Sequence, residues 1–316
     1  MSRILIIGSE GQLGSELSKF LKSNTDSSKI ILSDIKEKSN SNLKYFKLNA
    51  LKSKELEVFV RDYNISQVYH LAAILSAKGE DDPMNTWNLN MNSLFSVLDL
   101  AKNNIIKKVF WPSSISVFGN NSPKNKTDQF SIKEPTTVYG ISKLAGERWC
   151  EYYNIRYGTD IRSIRFPGII SSSTLPGGGT TDYAVEVFYS FIRKEVYSCF
   201  LNKDSFLPMI YIDDAIESIH KLMSADKENL SIKSSYNLSG FSLSPEIIEN
   251  ELKKIDNSFK VEYNPDFRQK IADSWPDSIN DDYARKDWYW NPNFDLKSTI
   301  NEMIEKLKIK LKDDEL

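Results

Sequence analysis

The chain has 316 residues, of which 40% are hydrophobic and 27% are charged, and this composition is typical of a folded globular protein. Its 41 basic and 43 acidic residues give a formal net charge of −2, so there is no basic excess to neutralise a phosphate backbone, and we expect no nucleic-acid partner. Two cysteines and two histidines are too few for the clusters that hold catalytic zinc, so we expect no metal site. No segment has the ~18 apolar residues of a membrane span, which predicts a cytoplasmic protein without a membrane partner.

Short apolar runs alternate with helical periodicity through the first half of the chain, an order typical of βαβ units and a parallel sheet. After residue 166 the pattern becomes less regular, with helices separated by short strands and by a glycine-rich loop. The predicted strands span residues 3–7, 29–34, 45–48, 67–72, 107–111, 160–165, 205–212 and 235–238. The predicted helices span residues 13–21, 51–63, 83–102, 137–157, 182–193, 213–224, 244–254 and 295–312.

Three glycines lie between the first predicted strand and the first predicted helix. Gly8, Gly11 and Gly14 have the spacing G-x-x-G-x-x-G, which permits a tight turn, a close approach of the backbone to a pyrophosphate and close packing of the helix on the strand. The helix N-terminus adds free N–H groups and positive potential. Asp34 ends the second strand, where an acid accepts hydrogen bonds from the adenosine ribose and repels a 2′-phosphate. The pattern therefore predicts a site for NAD rather than NADP.

These elements together predict an α/β fold, with a Rossmann-type doubly wound parallel sheet and a smaller mixed α/β substrate-binding lobe. The predicted NAD-binding domain comprises residues 1–166 and about 208–240, and the lobe comprises about 167–207 and 241–316. We expect the lobe to lie over the carboxyl edge of the parallel sheet, because open α/β sheets bind their ligands there.

A tyrosine and a lysine are spaced by four residues at the start of the helix predicted at 137–157. Tyr139 and Lys143 lie on one helical face, so the ammonium can approach the phenol. A free tyrosine has a pKa of ~10, and a nearby Lys⁺ together with the positive nicotinamide would favour the phenolate that a general base needs. Ser114, in the loop after the strand predicted at 107–111, could orient the reacting oxygen, although a serine there can also cap a turn.

With these motifs the chain resembles the extended short-chain dehydrogenases/reductases. This resemblance rests on the glycine motif, Asp34, the segment His70-Leu71-Ala72-Ala73, the Ser114 loop and the pair Tyr139 and Lys143. Within that group the chain is similar to the short-chain type of L-threonine 3-dehydrogenases in five segments. They are GQLG at 11–14, PGGGTTDYA at 176–184, SWPDSI at 274–279, ARKDW at 284–288 and FDL at 294–296.

The resemblance implies a role for each of the three catalytic candidates. Tyr139 would be the general base, Lys143 would tune its pKa and bind the ribose, and Ser114 would orient the substrate. The implied NAD contacts are Gly8, Gly11, Gln12, Leu13, Gly14, Asp34, Ile35, Asn49, Ala50, Leu71, Ala72, Ala73, Tyr139, Lys143, Pro167 and Ile169.

A zwitterionic amino-acid substrate needs hydrogen-bond donors for its carboxylate and acceptors for its ammonium. The substrate-binding candidates are Ser76, Ser114, Tyr139, Thr180 and Thr181. The two threonines could equally cap the next helix, because Thr181-Asp182 is a plausible helix N-terminus.

The implied reaction is the NAD-dependent oxidation of the β-hydroxyl of L-threonine to 2-amino-3-ketobutyrate, a step of threonine catabolism toward glycine or aminoacetone. Two alternatives stay open: a nucleotide-sugar epimerase or dehydratase of the same superfamily, and a non-catalytic dinucleotide-binding sensor. The first should show a pocket for a nucleoside diphosphate, and the second would tend to lose the tyrosine or the lysine.

Several aromatic residues have expected positions but no assigned chemistry. The resemblance implies a homodimer through the two long helices, although Trp149, Tyr152 and Tyr153 could equally pack within one chain. We expect Trp275 and Trp288 to pack in the interior rather than to stack on a ligand.

Overall fold

Strands and helices alternate along most of the chain. The computed structural model describes residues 2–39, 41–175 and 177–314, so Pro176, the first residue of the PGGGTTDYA segment, lies outside the described residues. The strands are β1 (Arg3–Ile7), β2 (Ile30–Asp34), β3 (Lys44–Lys47), β4 (Ile65–His70), β5 (Lys108–Ser114), β6 (Ile161–Phe166), β7 (Gly168–Ile170), β8 (Tyr197–Cys199), β9 (Leu207–Tyr211), β10 (Tyr236–Asn237), β11 (Phe241–Leu243) and β12 (Val261–Tyr263). The helices are α1 (Gln12–Asn24), α2 (Ser53–Asp62), α3 (Ser76–Gly79), α4 (Pro83–Lys102), α5 (Val138–Tyr157), α6 (Tyr183–Arg193), α7 (Ile212–Ser224), α8 (Pro245–Ile255), α9 (Arg268–Asp273), α10 (Asp282–Trp288) and α11 (Leu296–Asp314).

Seven strands form one sheet in the order β10-β6-β5-β4-β1-β2-β3, and every neighbouring pair is parallel. Side chains alternate between the two faces of a strand, so a sheet covered on both sides buries both sets. In β1, Ile6 belongs to one hydrophobic cluster, together with side chains of α1 and α7. Its neighbours Leu5 and Ile7 belong to a second cluster, with side chains of α2, α4 and α5. The predicted doubly wound parallel sheet is confirmed.

A smaller, mixed sheet is also present, as the predicted fold class requires. It has the order β11-β9-β7, with β9 antiparallel to β11 and parallel to β7. β8 and β12 form a separate parallel pair. All of β10 and all but the first residue of β9 come from the range 208–240, yet β9 lies in the mixed sheet and β10 extends the large one. The division of the chain into a domain and a lobe stays a prediction.

The end of β5 differs from its prediction in a way that concerns the site. The strand continues to Ser114, because Ser113 and Ser114 pair with Arg165 and Phe166 of β6. Ser114 is therefore the last residue of a strand, and the prediction that placed it in a loop was wrong. Within the described part of the chain, no helix combines the length and the apolar character needed to cross a membrane.

Candidate active site

The turn between β1 and α1 has no room for side chains at two of its three glycines. Gly8 has a φ of +83°, and a Cβ there would lie 2.7 Å from the backbone nitrogen of Ala72. A Cβ on Gly14 would lie 2.2 Å from the carbonyl oxygen of Gly8. At Gly11 the nearest atom would be 3.5 Å away, which is ordinary contact. Gly8 and Gly14 therefore fix the turn, whereas Gly11 leaves space beside it.

The N-terminus of α1 and the acid at the end of β2 flank this turn. Gly11 occupies the N-cap position of α1, and no side chain among the described residues caps the helix there. Such a terminus presents N–H groups and positive potential to an anion. Asp34 accepts hydrogen bonds from the backbone nitrogens of Glu10, at 3.1 Å, and Lys36, at 3.3 Å, so its carboxylate has a fixed place beside the turn.

Two clefts of about 250 Å³ each adjoin along the carboxyl edge of the large sheet. Their shared walls are Gly8, Gly11, Leu71 and Ala73. The first cleft also contains the predicted site residues Gln12, Leu13, Gly14, Ser76, Ser114, Tyr139, Lys143, Pro167, Ile169, Thr180 and Thr181. The second also contains Asp34, Ile35, Asn49, Ala50 and Ala72. Residues from eight separate stretches of sequence thus meet in one continuous surface.

Tyr139 and Lys143 lie one turn apart on α5 and face the end of β5. The ammonium of Lys143 donates a hydrogen bond to the carbonyl oxygen of Pro112 at 2.6 Å. It lies 5.5 Å from the centre of the Tyr139 ring and 4.5 Å from that of the Trp111 ring. Lys143 is almost completely buried, so its position is set by these contacts rather than by solvent.

Burial shifts the pKa values of this pair toward their neutral forms. It raises the pKa of Tyr139 to about 12, and hydrogen bonding to Ser114 opposes this rise. It lowers the pKa of Lys143 to about 7, and the negative charge of Glu147 opposes this fall. The protein by itself therefore does not produce the phenolate expected from the Tyr139–Lys143 spacing, because desolvation penalises both charged forms. Of the two charges expected to favour the phenolate, that of a bound nicotinamide remains.

Ser114 has two sets of contacts. Its hydroxyl accepts a hydrogen bond from the backbone nitrogen of Ser116 at 3.2 Å, which caps the short 3₁₀ turn Ile115–Val117. The same side chain lies in the first cleft, where hydrogen bonding to it lowers the pKa of Tyr139. The capping function and the place beside the candidate base, given as alternatives by the sequence, thus occur together.

The glycine-rich loop before α6 brings hydroxyl groups and a carboxylate to the same cleft. The hydroxyls of Ser76 and Thr180 are buried and lie 3.4 Å apart. Asp182 occupies the N-cap position of α6 without a side-chain capping bond from the described residues. Its carboxylate instead accepts hydrogen bonds from the backbone nitrogens of Gly178, at 2.9 Å, and Gly179, at 2.7 Å. These bonds fold the loop back over the first turn of the helix.

Among the residues of the first cleft that sequence reasoning missed are Asp182 and Trp275. Asp182 was considered only as a helix start, and its position directly after two candidate threonines was the available signal. Trp275 was expected in the interior; it is 5% exposed, as expected, but it also forms part of the cleft wall. Lys124 donates to the carbonyl oxygen of Trp275 at 2.7 Å and thereby holds that segment. This contact joins residues far apart in the chain, so no local pattern indicates it.

Comparisons with known proteins agree on the class of this chain. Residues 4–239 match the NAD dependent epimerase/dehydratase family. A protein of Staphylococcus haemolyticus (strain JCSC1435), described as an uncharacterized epimerase/dehydratase, is 40% identical over 315 residues, covering 98% of this chain and 99% of that protein.

Two solved structures are similar over nearly their whole length. The holo form of a GalE-like L-threonine dehydrogenase from Cupriavidus necator is 46% identical, with a TM-score of 0.95, and the match covers 96% of this chain and 99% of that one. A monomeric L-threonine 3-dehydrogenase from a metagenome, in its apo form, is 45% identical with a TM-score of 0.94. That match covers 97% of this chain and 99% of the other.

Proposed function

The chain belongs to the NAD dependent epimerase/dehydratase family, and we propose that it oxidises the β-hydroxyl of L-threonine to a ketone, giving 2-amino-3-ketobutyrate. Its cofactor is NAD, and its chemistry is that of an NAD-dependent oxidoreductase. The observation that carries the proposal is the set of polar groups that line the first cleft. Tyr139 and Ser114 share this cleft with Ser76, Thr180 and Asp182.

The size of the first cleft favours a small substrate. Pockets for drug-sized ligands have volumes of ~300–1,000 Å³. The first cleft has about 250 Å³, and it contains the proposed nicotinamide contacts Pro167 and Ile169 as well as these polar groups. An amino acid needs much less space than a sugar attached to a nucleoside diphosphate. This comparison supports threonine over the nucleotide-sugar alternative.

The polar groups of the first cleft suit a zwitterion. The hydroxyls of Ser76 and Thr180 can donate hydrogen bonds to a carboxylate. The carboxylate of Asp182 can accept from an ammonium, and each of its bonds to Gly178 and Gly179 leaves lone pairs available. The solved structures named as threonine dehydrogenases support the same substrate.

In the proposed reaction each catalytic residue has a defined role. The phenolate of Tyr139 takes the proton of the substrate hydroxyl, and the Ser114 hydroxyl orients that oxygen. Lys143 binds the ribose and favours the phenolate electrostatically. NAD⁺, when bound, supplies the acceptor for the hydride that leaves the same carbon. Asp34 and the α1 terminus hold the other end of the cofactor, which the proposal assigns to the second cleft.

We extend the proposal to a homodimer that buries the outer face of α5. Trp149 and Tyr152 are 42% and 47% exposed, and Ile155 is 72% exposed on the same helix. Tyr153, in contrast, packs within the chain and donates to Asp99 at 3.0 Å. Exposed aromatic residues grouped on one helix are typical of an interface. Sedimentation should give twice the mass of one chain, and a single-chain mass at working concentration would contradict the dimer.

The proposed substrate is tested by comparing candidate substrates with the purified protein and NAD⁺. We expect L-threonine to give NADH continuously, with no turnover of UDP-glucose or other nucleotide sugars. Turnover of a nucleotide sugar without threonine oxidation would replace the proposed function by epimerase or dehydratase chemistry. Binding of NAD⁺ without any turnover across the panel would favour the non-catalytic sensor.

A further inference from the structure

A fully buried ion pair lies behind the candidate catalytic residues. Glu147 on α5 and Arg165 on β6 have side chains that are only 1% and 2% exposed. The Nε and Nη2 atoms of Arg165 donate to the two carboxylate oxygens of Glu147, each at 2.7 Å. This bidentate geometry fixes the carboxylate in both position and orientation.

The same carboxylate also binds the strand that carries Ser114. Oε1 of Glu147 accepts a hydrogen bond from the hydroxyl of Ser113 at 2.7 Å. Ser113 lies between Pro112, whose carbonyl oxygen accepts from Lys143 at 2.6 Å, and Ser114. Two adjacent residues of β5 are therefore bound by side chains one helical turn apart on α5. The third residue of the strand, Ser114, meets the helix one turn earlier, at the candidate base.

Arg165 ties this arrangement to the rest of the sheet. Its Nη1 atom donates to the carbonyl oxygen of Gln129 and to Oδ1 of Asn237, both at 2.9 Å. The guanidinium thus has partners on three of its nitrogens. A buried network with satisfied members is rigid, because any shift breaks several bonds at once.

We propose that Glu147 is a positioning residue for the reaction: through Ser113 it holds Ser114 and Lys143 in register with Tyr139. Tyr139, Lys143 and Glu147 occupy one face of α5 at intervals of four residues, and each meets a different one of the last three residues of β5. The inference rests on the proposed function only for its activity measurement. The contacts between α5 and β5 would position Tyr139 in the same way for any reaction in which Tyr139 takes part.

The charge of Glu147 adds an electrostatic effect to this geometry. Its carboxylate raises the pKa of Lys143 against the effect of burial, which lowers that pKa to about 7. His70 on β4 adds no cation, since burial, with Lys143 as a lesser cause, lowers its pKa to about 3. The titratable and charged groups around Lys143 are Tyr139, Glu147 and Cys150 on α5, His70 on β4, and Arg165 behind Glu147.

Two variants separate positioning from a purely structural role. The double variant Glu147→Met with Arg165→Met removes both charges, so no unpaired buried charge is left to unfold the chain. The matched control is Asp160→Met with Arg162→Met. That pair has bidentate bonds at 2.7 and 2.9 Å, and Arg162, like Arg165, donates to two further oxygens outside the pair. Ser113→Ala removes the single bond to Glu147 and leaves its ion pair in place.

The double variant at Glu147 and Arg165 should have a kcat lower by ~10-fold, with the KM for threonine within ~2-fold of wild type. The rising limb of its pH–rate profile should move to higher pH, because Lys143 is less often cationic. An NMR titration of labelled lysine side chains, with the Lys143 signal assigned from Lys143→Met, should show a lower titration midpoint. Ser113→Ala should lower kcat ~5-fold without moving the Lys143 midpoint. The control pair should change neither quantity.

A folded Glu147→Met/Arg165→Met variant with wild-type kcat and an unchanged Lys143 midpoint would overturn the inference and leave the ion pair a structural role only. Equal losses of kcat in that variant and in the control pair would overturn it as well. If the wild type does not oxidise threonine, the proposed function fails. The Lys143 titration then decides the inference by itself, since a lowered midpoint supports it and an unchanged one refutes it.

Discussion

The two ends of the combined cleft are built on different physical principles. At the cofactor end the backbone forms the site, where Gly8 and Gly14 leave no space for a Cβ and the α1 terminus points its N–H groups outward. At the reacting end buried side chains form the site, and Lys143 and Glu147 are held by partners on neighbouring strands. The cofactor end depends on close approach of the backbone to the cofactor, and the reacting end depends on the charge and orientation of side chains. Substitutions at the cofactor end should therefore weaken NAD⁺ binding, whereas substitutions at the reacting end should change the kinetics with threonine.

Gly14→Ala should have the largest effect at the cofactor end. Its Cβ would lie 2.2 Å from the carbonyl oxygen of Gly8, so the turn must open. We expect ~30-fold weaker NAD⁺ binding by calorimetry, from an overpacking cost of ~2 kcal/mol. Gly11→Ala is the matched control, because its Cβ would meet its nearest atom at 3.5 Å. Equal losses of NAD⁺ affinity in the two variants would show that the lack of space at Gly14 is not the cause of the weaker binding.

Asp182→Asn should affect the reacting end without affecting the cofactor end. Both bonds from the glycine loop go to Oδ2, so the amide oxygen can keep them, but the variant loses the charge that the proposal assigns to the substrate ammonium. We expect a ~10-fold higher KM for threonine in steady-state kinetics, the value of a charge-assisted hydrogen bond. NAD⁺ affinity should stay within ~2-fold of wild type. Asp213→Asn, on the surface of α7, is the control, and an unchanged KM in Asp182→Asn would remove Asp182 from the substrate site.

Ser114→Ala should give a smaller change, visible mainly in the pH dependence. The hydrogen bond from Ser114 lowers the pKa of Tyr139, which burial raises to about 12, so its loss raises that pKa further. Because the base acts in its deprotonated form, the rising limb of the kcat profile should move to higher pH. At neutral pH kcat should fall ~5-fold, as expected for one hydrogen bond. A limb that moves to lower pH would contradict this assignment of Ser114.

The same contrast explains how much the sequence could predict. The glycine turn, Asp34 and the order of the long elements follow from local patterns, and the parallel sheet with its flanking helices is present as predicted. Short strands such as β7 and β11 have three residues each, too few to show a period. Two features depend on contacts between remote segments: the part of the cleft wall that Trp275 forms, and the Glu147–Arg165 ion pair. No spacing along the chain encodes such contacts.

The pKa values of the catalytic pair show a second limit. The four-residue spacing of Tyr139 and Lys143 predicts proximity, and the structure brings the ammonium to 5.5 Å from the ring. Proximity alone favours the phenolate. Burial instead favours the neutral form of both groups, because it raises the pKa of Tyr139 and lowers the pKa of Lys143. Desolvation depends on everything packed around a group, so it becomes visible only in three dimensions.

The central claim is that Tyr139 is the base for NAD⁺-dependent oxidation of L-threonine. The most direct test compares threonine-dependent NADH formation in the wild type, Tyr139→Phe and Tyr289→Phe, a control for the same change at a largely exposed site after α10. We expect activity in the wild type and in Tyr289→Phe, and a loss of ~10²-fold or more in Tyr139→Phe with NAD⁺ binding intact. Threonine oxidation that persists in Tyr139→Phe, or that is absent from the wild type, would contradict the account.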